Sequence, residues 1–348
     1  MRILILGNNY SARKYYKYFS NNKENIVFSS DDKLQNCVEF LNIEDIVEFC
    51  KANEINFVLI TDEIYINQGV QDLLSNLGIS VFAPSIDSIS ICSSKIYAKK
   101  FMYKNKILTP KFQVFEKPQL ALDYINEVKI PQAIKPDCNS YQECLQFCET
   151  QKQAQKILND FFASGNKRVL LEDYIEGKNI SIWALCDGYS AKIIFASAKY
   201  NNEIALFEPD FVDENLKERI NQEIIQPTIN ALSSQGEEYI GILGFDCILT
   251  YKNELYLVGY NSFYDDLNVD FSLEGFNINW LEVFDSTIVG DVFSRFEFKQ
   301  NDEYMIAIRQ NEKINLICAK TRNNLEKYMK ELEFELEQYN QAKKVWKY

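Results

Sequence analysis

The sequence predicts a mixed α/β and α+β protein, with an N-terminal lobe built on a parallel sheet and antiparallel strands further along the chain. Up to Pro84, short apolar runs alternate with helix-compatible segments, which is typical of a parallel sheet. From Lys95 onward, strand patterns come in pairs, including one pair joined by Asp187-Gly188, a strong hairpin turn. A chain of 348 residues with 47% hydrophobic content can bury a sizeable core and suggests two or three domains.

The N-terminal lobe is predicted to be Rossmann-like. An apolar run over 2–6 ends at Gly7 and leads into a helix from Ser11. The pattern repeats with a helix at 43–51, a strand at 57–61, a helix at 70–76 and a strand at 79–82. The first turn, Gly7-Asn-Asn-Tyr-Ser-Ala12, has one glycine where a GxGxxG motif needs three. The turn is therefore not predicted to bind NAD or FAD.

The remainder of the chain is predicted to be α+β, because helical segments there are mixed with paired strands. The predicted helices are 96–104, 119–128, 151–162, 213–232 and 323–339. The predicted strands are 112–115, a strand ending at 136, 168–172, 180–185, 191–196, 244–251, 254–260, 304–308 and 314–319.

Composition excludes several classes of function. Histidine is absent, which excludes Ser-His-Asp and Cys-His catalysis. A net charge of −13 argues against a nucleic-acid surface. No apolar run is long enough to span a membrane, and the start lacks the pattern of a signal peptide. We therefore expect a cytoplasmic protein without membrane contact.

The nine cysteines are expected to be reduced thiols, because nothing in the sequence indicates export. Cys138, Cys144 and Cys148 form the one local cluster. It contains no CxxC pair, so small buried side chains are favoured over metal ligands. The role of the three residues stays open.

Several motifs, in order along the chain, resemble those of the glycinamide ribonucleotide synthetase (phosphoribosylamine–glycine ligase) family of the ATP-grasp superfamily. They are ILILGNN, VFAPS, CSSKIYAKKF, ILTP, AIKPD, LLEDYIEG and LVGYN. This resemblance covers nearly the whole chain. It implies a Rossmann-like lobe over 1–94, an ATP-grasp domain over 95–292 with a small lobe at about 110–187, and a shortened C-terminal α+β lobe over 293–348.

The resemblance also implies a reaction, two cofactors and a place in purine biosynthesis. The family transfers the γ-phosphoryl group of ATP to a carboxylate and lets an amine displace phosphate from the acyl phosphate. Such chemistry needs ATP, Mg²⁺ and cations on the phosphates rather than histidine. Lys95 and Lys135 match the two lysines that hold the phosphates. The alternative is that both are solvated surface lysines.

Further residues match the family's nucleotide hinge. Glu172, the carbonyl of Asp173 and the amide of Ile175 are the candidates for the adenine edge. Asn179 stands where the family has a glutamate for the ribose hydroxyls. An amide keeps the hydrogen bond but loses its charge-assisted part.

The phosphate loop and the metal site depart from the family pattern. The family's glycine-rich loop reads Asp137-Cys-Asn-Ser-Tyr-Gln-Glu-Cys144, with no glycine. The family's Glu-x-Asn metal motif reads Gly259-Tyr260-Asn261, which leaves Asn261 without a charged partner. Asp246 is the candidate replacement, since other ATP-grasp enzymes have an acidic ligand there, and Asp265 and Asp266 follow nearby. The alternative for Asp246 is a solvent-facing strand residue.

The substrate side departs further. Asn9 to Arg13 replace a glycine- and arginine-rich turn, Glu63 alone persists from a Pro-Glu-Ala-Pro-like segment, and Phe263 replaces an arginine. Between Lys199 and Asp210 there is no counterpart of the family's Gly-, Asn- and Thr-rich substrate loop. Glycine and phosphoribosylamine are therefore doubtful substrates, and no catalytic residue is assigned.

Three functions follow from these observations. The chain is a ligase of the purine pathway, a ligase for another carboxylate and amine, or a pseudoenzyme that binds nucleotide with a regulatory role. Its partners are a nucleotide and a small molecule, with a protein partner expected only for the pseudoenzyme.

Overall fold

A computed structural model of the chain describes residues 1–137, 146–200, 204–299, 304–310 and 313–320, together with Asn324 and Lys327. Two regions of interest in the sequence lie outside these residues. One is the loop that follows Asp137 and contains Cys138 and Cys144. The other is nearly all of the helix predicted over 323–339.

The N-terminal lobe alternates strands and helices as predicted. Its elements are β1 (Arg2–Leu6), α1 (Tyr10–Ser20), β2 (Ile26–Ser29), α2 (Ile43–Ala52), β3 (Phe57–Ile60), α3 (Glu63–Asn67), α4 (Val70–Asn76), β4 (Ser80–Phe82) and α5 (Ser90–Ser93). In the described chain the four strands pair in parallel in the order β2-β1-β3-β4. Helices cover both faces of this sheet, which explains the continuous apolar run of β1. The prediction of a parallel-sheet lobe is confirmed.

The small lobe follows the helix α6 (Lys95–Lys104). Its elements are β5 (Phe112–Phe115), α7 (Pro118–Glu127), β6 (Gln132–Pro136), β7 (Gln146–Cys148), α8 (Gln151–Ala163) and β8 (Val169–Asp173). The strands pair antiparallel in the order β5-β8-β6-β7. Ile134 and Leu171 pack with Ile125 of α7 and Leu158 of α8. This lobe therefore has a core of its own.

A large antiparallel sheet forms the centre of the molecule. Its strands are β9 (Gly177–Asp187), β10 (Ala191–Tyr200), β11 (Ile204–Phe207), β12 (Ile240–Thr250), β13 (Leu255–Asn261), β14 (Tyr304–Gln310) and β15 (Lys313–Ala319). Among the described residues their order is β13-β12-β9-β10-β11-β14-β15. The hairpin predicted at Asp187-Gly188 joins β9 and β10, with Ala191 opposite Cys186. The two C-terminal strands extend this sheet through β11, so they are not separated from it.

Five further helices complete the described chain: α9 (Glu214–Ile220), α10 (Gln226–Gln235), α11 (Asp266–Glu274), α12 (Trp280–Ile288) and α13 (Val292–Arg295). The single helix predicted over 213–232 is two α-helices joined by a π-helical segment, Asn221–Ile225. Pro227 follows this segment. Its ring would clash with the carbonyl four residues earlier in a regular helix, and the wider turn accommodates it.

The two faces of the large sheet pack in two separate cores, and each core also includes the parallel sheet. Ile182 shares one core with Ile60, and Trp183 shares the other with Leu59. The N-terminal lobe and the large sheet are thereby packed together, whereas the small lobe joins them through a short connection. Within the described chain, no helix combines the length and apolar character needed to cross a bilayer.

Candidate functional site

The connection between the small lobe and the large sheet is a hinge of three residues, 174–176, between the end of β8 and the start of β9. Gly177 is required at this point, because an added Cβ would lie 2.4 Å from the carbonyl oxygen of Leu249. Ile175 is half-buried in the hinge. The backbone groups predicted to hold an adenine edge therefore lie where the two sheets meet.

Glu172, near the end of β8, lies between two lysines. The Nζ atom of Lys99 is 2.7 Å from Oε2 of Glu172, and Lys135 contacts Oε1. Lys99 also donates to Oγ1 of Thr109 at 2.8 Å. The exposed fractions are 1% for Lys99, 8% for Lys135 and 3% for Glu172. Burial excludes the interpretation of Lys135 as a solvated surface lysine.

This lysine–glutamate cluster has more positive than negative charge, because two ammonium groups share one carboxylate. Burial lowers the pKa of Lys99 to about 8, with Lys135 and Lys95 lowering it further and Glu172 opposing the shift. Burial alone would raise the pKa of Glu172, but the two lysines hold it below its ordinary value. A buried excess of positive charge favours binding of an anion, since water screens it little.

The start of α6 is fixed to the end of β6, which brings Lys95 to the same region. Oδ1 of Asp137 accepts hydrogen bonds from the Ser94 hydroxyl at 2.8 Å and the Ile96 amide at 3.2 Å. Lys95 is the first residue of α6 and is half-buried. Lys135 lies two residues before Asp137, so both predicted phosphate-binding lysines flank this junction.

Asp246 and Asn261, the predicted metal ligands, are in direct contact. Nδ2 of Asn261 donates to Oδ2 of Asp246 at 2.8 Å, and the Ser181 hydroxyl donates to Oδ1 at 2.6 Å. Asp246 is half-buried and pairs across the hairpin with Gly259. It is therefore not simply a solvent-facing strand residue.

The chemistry of this Asp246 group fits a magnesium ion that is held mainly by nucleotide phosphates. A carboxylate, an amide oxygen and a hydroxyl are hard oxygen ligands, and Mg²⁺ is commonly bound by one or two carboxylates together with phosphate oxygens. Among the described residues there is no group of three or more Cys, Asp or Glu side chains that could hold a metal. The Asp246 group itself contains a single carboxylate.

Asp265 and Asp266 are engaged elsewhere. Oδ1 of Asp265 caps α11 by accepting from the amides of Leu267 and Asn268, and Oδ2 contacts Lys199. Asp266 pairs with Arg309 at 3.0 Å. Both carboxylates therefore belong to the start of α11 and not to the Asp246 group.

On the substrate side, the altered residues and the retained Glu63 form contacts within the protein. Nδ2 of Asn9 donates to the Thr61 carbonyl at 2.7 Å, and Arg13 pairs with Asp31 at 2.7 Å. Glu63 is buried and accepts from the Ser262 hydroxyl at 2.6 Å. Next to these residues, a small cleft lies between the N-terminal lobe and the large sheet.

The sequence analysis missed two residues of the site. Lys99 had a signal, because it lies three residues from both Ile96 and Met102, which are buried, and a lysine on an apolar helix face needs a buried partner. No pattern in the sequence marks Ser181 as a site residue, because its contact with Asp246 depends on the pairing of strands. Asn179 is exposed two residues earlier on β9, on the same face as Ser181.

Of the cysteine cluster, Cys148 is buried and the other two members lie outside the described residues.

Comparison with known proteins supports the resemblance to the phosphoribosylamine–glycine ligase family that the sequence motifs indicate. Residues 93–210 match the family model "Phosphoribosylglycinamide synthetase, ATP-grasp (A) domain". The phosphoribosylamine–glycine ligase of Clostridium acetobutylicum is 26% identical over 67% of this chain and 60% of its own length. That of Fusobacterium nucleatum is 24% identical over 84% of this chain and 74% of its own length. The chain thus spans only part of these relatives.

Solved structures show the same fold. The phosphoribosylamine–glycine ligase of Thermotoga maritima superposes with a TM-score of 0.75 over 96% of both chains, at 16% identity. The D-alanine–D-alanine ligase of Bacillus anthracis, complexed with ATP, gives a TM-score of 0.57 at 20% identity over 75% of this chain and 86% of its own. The motif order, the lobed architecture and the family match agree. The chain is therefore similar to the phosphoribosylglycinamide synthetase (phosphoribosylamine–glycine ligase) family, and it has the ATP-grasp fold.

Proposed function

We propose that the chain binds ATP at the hinge, with the phosphates against Lys95 and Lys135. The adenine edge would contact the Asp173 carbonyl and the Ile175 amide, with Asn179 near the ribose. The observation that carries this proposal is the buried lysine–glutamate cluster beside the hinge, whose excess positive charge is suited to a phosphate chain. In this arrangement Glu172 orients the lysines, and the backbone of the hinge is left to recognise adenine.

Magnesium would be held by Asp246 and Asn261 and would neutralise charge on the phosphates when bound. Asn261 is already oriented by its amide contact with Asp246. Gly259, opposite Asp246, supplies no second carboxylate. We therefore expect ATP to bind with a modest dependence on Mg²⁺.

The reaction proposed for this site is ATP-dependent joining of a carboxylate to an amine. The γ-phosphoryl group passes to a carboxylate oxygen, giving an acyl phosphate and ADP. The amine nitrogen then bonds to the acyl carbon as phosphate leaves with the electrons of the broken C–O bond, and the amine loses a proton. The lysines stabilise the phosphate charge throughout, which is the main requirement of phosphoryl transfer.

We further propose that turnover with glycine and phosphoribosylamine is weak or absent. The loop after Asp137 has no glycine, the metal motif has lost its glutamate, and Phe263 stands in place of an arginine. Loss of one transition-state donor commonly costs about 10²–10³ in rate. The chain would then act as a ligase for another pair of substrates, or as a regulatory nucleotide-binding module with a protein partner. Cytoplasmic location stays a prediction.

Phosphate release from ATP and Mg²⁺ tests this proposal. We expect ATP to bind, with little release in the presence of glycine and phosphoribosylamine. Release that appears only with a different carboxylate and amine would identify a ligase of altered specificity. Turnover of glycine and phosphoribosylamine at ordinary enzyme rates, about 1–10³ per second, would contradict the proposal.

A further inference from the structure

The phosphate end of the proposed nucleotide site already contains an anion of the chain itself, the carboxylate of Asp137. Its Oδ1 atom accepts from the Ser94 hydroxyl at 2.8 Å and from the Ile96 amide at 3.2 Å, and its Oδ2 atom pairs with Arg168. The side chain of Asp137 is 9% exposed, whereas that of Arg168 is 44% exposed. Water therefore screens the arginine more than the carboxylate.

The groups around this carboxylate are of the kinds that bind phosphate oxygens in proteins. They are an amide in the first turn of a ten-residue helix, a hydroxyl and a guanidinium. Ser94 also accepts from the Tyr97 amide at 3.1 Å, so α6 has an N-cap without Asp137. The carboxylate is thus not needed to begin the helix, and it occupies donors that suit a phosphate.

Asp137 lies at the opposite end of the small sheet from the hinge. Where β6 pairs with β8, Gln132 is opposite Asp173 beside the hinge, and Pro136 is opposite Val169. Four residues of strand separate these two pairs, a rise of about 13 Å. A nucleotide whose adenine lies at the hinge would direct its phosphates toward Asp137, with the last phosphate of the chain nearest to it.

The carboxylate also lies beside both lysines proposed for the phosphates. Lys95 stands between the two residues of α6 that donate to Asp137, and Lys135 precedes Asp137 by two residues. Repulsion between like charges is strong where water screens them little. A phosphate that reaches Lys95 therefore meets donors that are already engaged and a negative charge next to them.

We propose that Asp137 is a specificity-determining residue that limits how many phosphates of a nucleotide the site can hold. Its carboxylate takes the place of a terminal phosphate at the start of α6. The chain therefore gains little affinity between ADP and ATP, and removal of the carboxylate restores this gain. The inference rests on the proposed function in placing the phosphates at Lys95 and Lys135.

Calorimetric titrations of the full chain with AMP, ADP and ATP test this inference, without metal ions so that the Asp246 group does not contribute. We expect the wild-type chain to bind ADP and ATP within about threefold of each other. Asp137→Asn keeps the size of the side chain and removes its charge. This variant should bind ATP about tenfold more tightly, the effect of one charge-assisted contact, and AMP with unchanged affinity.

Asp160→Asn is the matched control for a lost negative charge, because Asp160 is exposed on α8 of the same lobe. It should change none of the three affinities. If Asp137→Asn does not fold, Asp137→Ser removes the same carboxylate and carries the same expectation. Equal gains for AMP and ATP, or an equal gain in Asp160→Asn, would overturn the inference. So would a wild-type chain that binds ATP about tenfold more tightly than ADP, and this result needs no variant.

Inorganic tripolyphosphate, which has no adenine, separates this inference from the proposed function. Tighter binding of tripolyphosphate to Asp137→Asn than to the wild-type chain, with no nucleotide binding to either, would refute the nucleotide site alone. Nucleotide binding to the wild-type chain with the same affinities in Asp137→Asn would refute the role of Asp137 alone. Absence of binding by every anion to both chains would refute the two together.

Discussion

Lys99 shows how one buried residue can set the electrostatics of a site. It shares Glu172 with Lys135 and is almost fully buried. Attraction to Glu172 does not offset the cost of burial, so its pKa lies at about 8 rather than near that of a free lysine. The positive charge of the cluster therefore changes within a pH range that is accessible to experiment.

The first prediction concerns pH. Lys99 is protonated below its pKa of about 8 and neutral above it, so ATP affinity should fall as pH rises through about 8. Phosphate groups ionise near pH 6, so the charge of ATP is constant over this range. Titrations from about pH 7 to 9.5 measure the effect.

Lys99→Met should bind ATP more weakly and remove the pH dependence, whereas Lys100→Met, at an exposed neighbour on α6, should retain it. A profile that is identical in both variants would exclude Lys99 as its source.

The second prediction concerns stability. Glu172→Gln leaves two buried ammonium groups without their carboxylate, so it should lower the free energy of unfolding by about 3–5 kcal/mol. Urea denaturation followed by circular dichroism measures this change. Glu176→Gln, at an exposed position in the hinge, should cost much less. Equal stability of the two variants would show that the ion pairs contribute little.

At the scale of elements, the β12–β13 hairpin and the hinge position the site. The hairpin places Asp246 opposite Gly259, and Ser181 from β9 completes the contact. Among the described residues, no atom would lie within 4 Å of an added Cβ at Gly259. This glycine is therefore not required by packing, and a longer side chain has room to extend beside Asp246.

The third prediction uses that space. Gly259→Glu would add a second carboxylate to the Asp246 group and should strengthen ATP binding in the presence of Mg²⁺ by about 5- to 10-fold, which corresponds to 1–1.4 kcal/mol. Calorimetry with and without Mg²⁺ measures the difference. Gly259→Gln is the uncharged control. A gain that is the same without the metal would argue against a magnesium site here.

The fourth prediction tests the hinge. Gly177→Ala forces a Cβ to within 2.4 Å of the Leu249 carbonyl oxygen, so the backbone must shift. We expect a loss of about 1–3 kcal/mol in the free energy of unfolding. Gly259→Ala is the matched control and should be nearly neutral, because its Cβ meets no atom of the part of the chain that the structure describes. Both values come from the same urea denaturation. A neutral Gly177→Ala would mean that the hinge is free to adjust.

At the scale of the whole molecule, local patterns predicted most of the fold. The bounds of β5 and α4 agree with the sequence analysis, because strong apolar periodicity and turn residues delimit them. The strands β2 and β11, of four residues each, were missed. A run of this length is identified only where its flanking residues mark it, as they do around β5. The division at residues 94 and 292 stays a proposal.

The candidate site could be predicted only in part. Lys95, Lys135 and Glu172 could be named as candidates because the motifs that contain them are local. The ion pairs that join Glu172 to Lys99 and Lys135, and the contact of Ser181 with Asp246, depend on pairings between strands and helices that are far apart in the sequence. A sequence pattern cannot give such partners, because they are set by the packing of the lobes.

ATP titration by calorimetry with the wild-type chain and Lys135→Ala, both with Mg²⁺, tests most directly that the lysine–glutamate cluster binds nucleotide. Lys100→Ala is the control for a lost surface charge. We predict saturable binding to the wild-type chain and to Lys100→Ala, and a loss of about tenfold or more in affinity for Lys135→Ala. No binding to the wild-type chain, or equal affinities in all three, would contradict the account.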